Sequence, residues 1–226
     1  MSAGPALSPD VVRPLADTLA ELLSRNARRV LVGGSLRRGR PTVSDVEIIA
    51  LCAFEQRPAP GQASLFGEAP MVRANATLEH VDRLVDSSRE SDAIDWHPPG
   101  RDGCRLWLER GRAWGERYRK LHADYYERPG LPAGWPVGVD LFLVHDPAQW
   151  GWISTLRTGS SDFNQWLIGR LKSRGVTGDD GWLWRDGQRL PTPEEHDVFE
   201  LAGTPFLEPH QRDPSSPQEV RRGRVA

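Results

Sequence analysis

The sequence predicts an α+β fold, in which a small mixed β-sheet packs against helices. Residues 46–52 and 137–144 are short apolar runs rich in Val, Ile and Leu, as is typical of buried strands. Residues 11–23 and 163–175 instead repeat their apolar side chains at the spacing of amphipathic helices. At 226 residues the chain favours one compact body, with two lobes as an option, over two independent domains.

The first elements follow in the order helix, strand, strand. Residues 8–24 predict a helix, because a Ser-Pro-Asp start precedes apolar residues at helical spacing. Residues 29–32 and 46–52 predict strands on either side of a glycine-containing loop. The Pro and Gly content of residues 54–70 indicates an exposed loop after the second strand.

The middle of the chain completes the predicted sheet. Asn75 or Thr77 caps a short helix that carries apolar residues on one face. Residues 105–108 and 117–121 are expected to pair as strands, and residues 137–144 (VGVDLFLV) are the clearest strand in the chain. With the two earlier strands, these segments make up the mixed sheet.

A change in the pattern of apolar residues from Asp162 onward indicates a second lobe. Residues 163–175 (FNQWLIGRLKSRG) predict an amphipathic helix that ends at its final glycine. Residues 182–191 (WLWRDGQRLP) predict a hairpin around an Asp-Gly turn, and Pro193 opens a last helix. The chain after Glu208 is polar, and we predict that it is disordered.

Charge and hydropathy exclude two broad classes of protein. The formal net charge of -2 excludes a strongly basic polyanion binder. No apolar run approaches the roughly 20 residues that a membrane-spanning helix needs. The start MSAGPALSPD also lacks a basic segment followed by an apolar stretch. We therefore expect a cytoplasmic, monomeric protein without membrane contact.

Two acids one residue apart, Asp45 and Glu47, begin the second strand. Because strand side chains alternate between faces, both acids project from the same side. Asp140 interrupts the apolar run of residues 137–144, where an ionised carboxylate is costly unless a cation or hydrogen bonds compensate it. Three carboxylates on neighbouring strands suit two divalent ions, Mg²⁺ or Mn²⁺. The alternatives are a solvated face for the first two acids and a structural salt bridge to an arginine for the third.

The loop before these acids has the composition of a phosphate cradle. Gly33 and Gly34 let the backbone approach a ligand closely, Ser35 offers a hydroxyl and an amide, and Arg38 offers a charged fork. The loop matches neither GxxxxGK[ST] nor GxGxxG. An ordinary basic turn is the alternative. The ten-residue spacing from Ser35 to Asp45 favours the cradle, because one loop then holds a triphosphate against ions on the next strand.

The ordered motifs GGSLRRG, SDVE, VDLFLV and TGSSDFN resemble those of the nucleotidyltransferase superfamily and, within it, the family X DNA polymerases related to DNA polymerase beta. The resemblance covers about residues 10–209. It implies a nucleotidyltransferase palm over residues 1–157 and a small α/β polymerase beta-like thumb over residues 158–209. Residues 210–226 remain as the predicted tail.

The resemblance also implies roles for individual residues. Asp45, Glu47 and Asp140 match the family's metal-binding, catalytic acids, and the last of them lies nearest the attacking 3′-hydroxyl. Other matching positions bind the substrate: Gly34, Ser35, Arg38, Ser44, Gly159, Ser161 and Asn164. The first four of these hold the triphosphate, and the last three lie beside the nucleotide sugar or face the incoming base.

The activity that the resemblance implies is transfer of a nucleoside monophosphate from a nucleoside triphosphate to a DNA 3′-hydroxyl, in gap filling or end extension during DNA repair. We expect weak, salt-sensitive binding of the DNA primer end, because no helix-hairpin-helix segment precedes Asp10. Leu156 and Arg157 stand where the family often has aromatic residues, which weakens discrimination against ribonucleotides. Gly138 stands where the family has an arginine that contacts the primer.

Two other functions remain open at this point. One is a nucleotidyltransferase that acts on RNA or on a small-molecule acceptor, against which the thumb resemblance counts. The other is a non-catalytic module that binds nucleic-acid ends or recruits an unidentified repair partner. The complete set of three acids counts against that module, because a buried Asp140 without a function is costly.

Overall fold

The computed structural model describes residues 6–59, 70–90, 94–96, 104–126 and 137–213. These residues form an α+β structure with a mixed β-sheet, as the sequence predicts. Within these ranges, no helix combines the length and the apolar character that a membrane crossing requires.

Helices and strands alternate irregularly along the chain. Helices α1 to α6 span Pro9–Ser24, Gly34–Arg37, Ala76–Glu90, Trp150–Thr158, Ser161–Lys172 and Glu195–Ala202. Strands β1 to β11 span Ala27–Val32, Asp45–Cys52, Phe54–Pro58, Met71–Asn75, Ile94–Trp96, Cys104–Trp114, Tyr118–Tyr126, Val137–Val144, Thr177–Asp179, Trp182–Arg185 and Gln188–Leu190. Two short 3₁₀ turns span Pro147–Gln149 and Pro209–Gln211.

The main sheet has six strands in the order β1-β2-β8-β7-β6-β5. Strands β2 and β8 run parallel, and the other described neighbours are antiparallel. Helices α1 and α3 cover one face, where Ile48 and Val139 belong to the main hydrophobic core. Helix α4 covers part of the opposite face, where Trp150 packs against Ile49 and Val144. On β2 and β8, residues that alternate with the main-core residues therefore lie on the face that α4 partly covers.

One of the predicted connections was wrong. Residues 54–70 were expected to form an exposed loop, but Phe54–Pro58 pairs antiparallel with Met71–Asn75 in a two-stranded sheet. Except for Pro58, the Pro and Gly residues that indicated a loop lie between these strands, at positions 60, 61, 67 and 70. Residues 60–69 lie outside the described part of the chain.

The second lobe has its own core and sheet. Phe163, Leu167 and Leu171 on α5 pack with Leu183 of β10 and Phe199 of α6. Helix α5 begins where the Ser160 hydroxyl accepts a hydrogen bond from the Phe163 amide at 3.2 Å.

The hairpin predicted in this lobe is confirmed. Strand β10 pairs with β11, and Arg185 lies opposite Gln188. Asp186 and Gly187 between them both have positive φ, at 52° and 75°. That conformation matches the twist of a two-residue hairpin turn.

A buried ion network ties the end of the described chain to both lobes. The Arg212 side chain is 0% exposed, and its Nη1 donates to Glu195 Oε1 at 2.6 Å. Arg37 Nη2 donates to the other carboxylate oxygen of Glu195 at 2.7 Å. The prediction of a disordered tail was therefore wrong for residues 209–213, and residues 214–226 lie outside the described residues. Polar side chains of this segment pair with residues elsewhere in the fold: Arg212 with Glu195, and Asp213 with Arg38 and Arg40.

We expect Arg212→Met to lower the free energy of unfolding by about 3 kcal/mol, because it leaves part of a buried carboxylate without its cation. Burial acts to raise the pKa of Glu195, but hydrogen bonds from Arg37 and Arg212 outweigh it, so the pKa lies below its ordinary 4.5. The contribution of ionised Glu195 to the free energy of unfolding is therefore present above pH 4.5 and is lost as the pH falls below that value.

Urea unfolding of Arg212→Met and of the parent protein, at pH 7 and at pH 3, measures the loss of stability and its dependence on pH. The matched control is Arg25→Met, because Arg25 and its partner Glu21 are 62% and 76% exposed. That variant should lose less than about 1 kcal/mol. Equal losses in the two variants would contradict the role of the network.

Candidate active site

The three predicted acids lie on neighbouring strands and on one face of the sheet. In the parallel register of β2 with β8, Asp45 lies opposite Gly138 and Glu47 lies opposite Asp140. Val46 and Val139 alternate with the acids and point into the main core. The acids therefore project from the face that α4 covers farther along the same strands.

The glycine pair lies directly against these acids. The Gly33 amide donates to the Glu47 carbonyl oxygen at 2.8 Å. Gly34 has a φ of 61°, and a side chain there would overlap the Glu47 carboxylate. Gly33 is also confined, because an added Cβ would lie 2.7 Å from the Ile49 side chain and 2.9 Å from the Arg157 carbonyl oxygen. Glycine at position 34 therefore lets the turn contact the Glu47 carboxylate, and glycine at position 33 lets it pack against Ile49 and α4.

The ionised form of the Glu47 carboxyl is unfavourable in these surroundings. Burial, followed by the charges of Asp45 and Asp140, raises its pKa to about 7, while Arg38 and Arg157 act in the opposite direction. An all-oxygen donor set whose negative charge is only partly compensated fits a divalent ion such as Mg²⁺ or Mn²⁺. Among the described residues, however, no group of three or more His, Cys, Asp or Glu side chains already converges as metal ligands.

Asp140 is held by two side chains of β7. The Tyr118 hydroxyl donates to Asp140 Oδ1 at 2.6 Å, and the Lys120 ammonium donates to the same oxygen at 2.7 Å. Burial, followed by the hydrogen bond to Asp140, raises the pKa of Tyr118. The sequence suggested an arginine as the alternative partner of this acid, and the observed partner is a lysine. Neither donor was predicted from the sequence, although Lys120 is one of only two lysines in the chain.

The predicted phosphate-binding side chains occupy different surroundings. Ser44 lies beside the first acid, and its hydroxyl donates to Asp45 Oδ1 at 3.2 Å. Ser35 is half-buried in α2, and its carbonyl oxygen accepts from the Arg40 amide at 3.0 Å. Arg38 turns toward the second lobe, where its Nη1 donates to the Thr158 carbonyl oxygen at 2.6 Å.

The remaining predicted residues lie where α4 passes into α5. The Asn164 amide donates to the Leu156 carbonyl oxygen at 2.8 Å, and Gly159 leaves no space for a side chain against Asn164 and Phe163. Ser161 is exposed at the start of α5.

A cavity of about 510 Å³ lies beside the acids, between the two lobes. Glu47, Tyr118 and Asp140 line it from the main sheet, and Arg157 lines it from α4. The Arg157 guanidinium lies 3.9 Å from the centre of the Phe142 ring. Of the described residues that line this cavity, none comes from α5. The volume lies within the range of small-molecule sites.

The opposite wall of this cavity belongs to the second lobe. Asp180 and Gly181, in the turn between β9 and β10, line it, and Asp180 forms an ion pair with Arg117. The hydrogen bond from Arg117 lowers the pKa of Asp180. The ion pair joins the turn to the residue just before β7.

Comparison with known proteins supports the resemblance. The family model described as DNA polymerase beta thumb matches residues 155–213. DNA polymerase lambda of Rattus norvegicus is 25% identical over 197 residues, which cover 80% of this chain and 28% of that relative. The α+β fold and these two matches support a family X polymerase-like protein. The chain spans little more than a quarter of the relative that it matches.

We expect Glu47→Gln to raise the free energy of unfolding at pH 8 in metal-free buffer by about 2 kcal/mol. The Glu47 pKa of about 7 lies above the ordinary 4.5, so this group destabilises the fold increasingly as the pH rises from 4.5 to 7. Below pH 4.5 the variant and the parent protein should differ little.

Chemical unfolding at pH 4 and pH 8 with a chelator present measures the effect. Glu55→Gln on β3 is the matched control, because Glu55 is exposed. A loss of stability in Glu47→Gln at pH 8 would show that the carboxylate is compensated within the protein.

Proposed function

We propose that this chain is a metal-dependent nucleotidyltransferase that adds a nucleoside monophosphate to a DNA 3′-hydroxyl. The observation that carries the proposal is the parallel register of β2 and β8, which brings Asp45, Glu47 and Asp140 to one face beside the glycine turn and the cavity. The likeness to DNA polymerase lambda and the match to the polymerase beta thumb favour DNA as the acceptor.

The three acids would hold the divalent ions, Mg²⁺ or Mn²⁺. Bound ions of this kind lower the pKa of the attacking hydroxyl and neutralise charge on the leaving pyrophosphate. The hydroxyl would give up its proton to water, its oxygen would bond to the α-phosphorus, and the bond from that phosphorus to the bridging oxygen would break, so that pyrophosphate leaves. Burial, followed by the charges of Asp45 and Asp140, raises the pKa of Glu47, and a divalent ion at the acids would offset this cost.

The residues of the glycine turn would hold the triphosphate. Gly34 lets the turn lie directly against the Glu47 carboxylate, so phosphates held by the turn would lie beside ions held by the acids, and Ser35 follows Gly34 in α2. Arg38 and Arg157 both act on the charge of Glu47, so their positive potential reaches the site. The guanidinium of Arg38 also anchors the turn to the second lobe.

We expect Asp45→Asn and Asp140→Asn each to reduce nucleotide incorporation about a thousandfold, because each removes a charged metal ligand. Extension of a labelled primer on gapped DNA with Mg²⁺ or Mn²⁺ measures the loss. Circular dichroism checks that the fold is intact. Asp17→Asn is the control, because Asp17 is exposed on α1. Unchanged incorporation by either acid variant would refute the proposal.

We also expect comparable use of ribo- and deoxyribonucleotides. Leu156 packs against the second core, and Arg157 lines the cavity, where the family often has aromatic residues. Rates of single-nucleotide insertion on a gapped primer, measured with both sugars, test this expectation. A strong preference for deoxyribonucleotides would contradict it.

A non-catalytic module that binds nucleic-acid ends is the second candidate. Two observations favour it: Asp140 already has a cation in Lys120, and the described residues contain no preformed cluster of metal ligands. The primer-extension assay separates the candidates, because such a module would bind DNA ends without incorporation by the parent protein.

A further inference from the structure

Lys120 and Asp140 form a cross-strand ion pair at the centre of the candidate site. The two residues lie directly opposite each other in the antiparallel register of β7 with β8. The Lys120 ammonium lies 2.7 Å from Asp140 Oδ1, and the two side chains are only 27% and 16% exposed. A partly shielded pair of this kind is stronger than a surface salt bridge.

The surroundings of Lys120 make room for its side chain. An added Cβ at Gly138 would lie 3.2 Å from the ammonium and 3.9 Å from the Asp45 Cβ, so the ammonium lies above a glycine that adjoins the first acid. On the other side, an added Cβ at Gly111 would lie 2.9 Å from the Lys120 Cβ. Two glycines on the neighbouring strands therefore accommodate this lysine.

We propose that Lys120 is a built-in counter-ion that competes with a divalent ion for Asp140. This inference rests on the proposed function, because it assigns the third acid to metal binding. Without metal, the ammonium supplies part of the positive charge that Asp45, Glu47 and Asp140 require. A divalent ion at the acids lies close to the ammonium, and like charges at such distances repel strongly outside bulk water.

The competition between Lys120 and the divalent ion for Asp140 determines when the acids bind the metal. The acids bind a divalent ion weakly while Lys120 holds Asp140. A nucleoside triphosphate adds negative charge, which offsets the repulsion, so metal and nucleotide enter together. Lys120 is thus a positioning residue that acts through Asp140, and its removal should change the affinity for metal before any chemistry takes place.

Binding of Mn²⁺ without nucleotide, measured by electron paramagnetic resonance of the free ion, tests the competition. We expect Lys120→Met to bind Mn²⁺ about tenfold more tightly than the parent protein, because a repelling charge is removed. Lys172→Met is the matched control, since it removes the other lysine of the chain from an exposed position on α5. Its affinity should equal that of the parent protein.

Asp140→Asn separates failure of this inference from failure of the proposed function. If Mn²⁺ binding depends on Asp140 but is equal in Lys120→Met and the parent protein, the competition is refuted and the metal site stands. If Asp140→Asn binds Mn²⁺ as tightly as the parent protein does, the proposed metal site and the competition both fail.

Nuclear magnetic resonance of the parent protein gives a second readout that does not depend on a variant folding. Lysine-selective ¹³C labelling gives signals from two side chains, Lys120 and Lys172. Addition of Mg²⁺ alone should shift the Cε signal of Lys120 and leave that of Lys172 unchanged. A Lys120 signal that stays in place while Mg²⁺ saturates the acids would overturn the proposal.

Discussion

The parallel pairing of β2 with β8 is the constraint on which the candidate site depends. It aligns Glu47 with Asp140 and leaves Asp45 on the same face, so three negative charges meet where the adjacent α4 packing ends. Burial, followed by the neighbouring charges of Asp45 and Asp140, makes ionised Glu47 unfavourable and raises its pKa. The fold tolerates the three charges because Lys120 pairs with one of them.

The second lobe is joined to the glycine turn by side chains of α2 and of the residue that follows it. The short helix α2, which continues the glycine turn, also carries Arg37, and this arginine shares Glu195 with the buried Arg212. Arg38, at the end of α2, donates to the Thr158 carbonyl oxygen. Because the turn is fastened at both positions, movement of the second lobe would also move the proposed phosphate cradle. This coupling gives a physical reason for the two lobes to act as one unit.

Sequence periodicity predicted the features that depend on local order. The alternation of strand side chains placed Asp45 and Glu47 on one face, and the Asp-Gly turn located the thumb hairpin. Features that depend on distant pairing were not predictable in this way. Lys120 reaches Asp140 only through the register of β7 with β8, and polar composition suggested disorder for Arg212, although its partners bury it completely.

An Mn²⁺ anomalous-scattering experiment on crystals grown with a non-hydrolysable nucleoside triphosphate would locate the divalent ions in this site. We expect manganese within about 2.2 Å of carboxylate oxygens from Asp45, Glu47 and Asp140. We also expect phosphate oxygens against the turn at Gly33 and Gly34, and a Lys120 ammonium that has moved away from Asp140. Manganese bound elsewhere, or a triphosphate held away from that turn, would show that the three acids do not form the metal site of a nucleotidyltransferase.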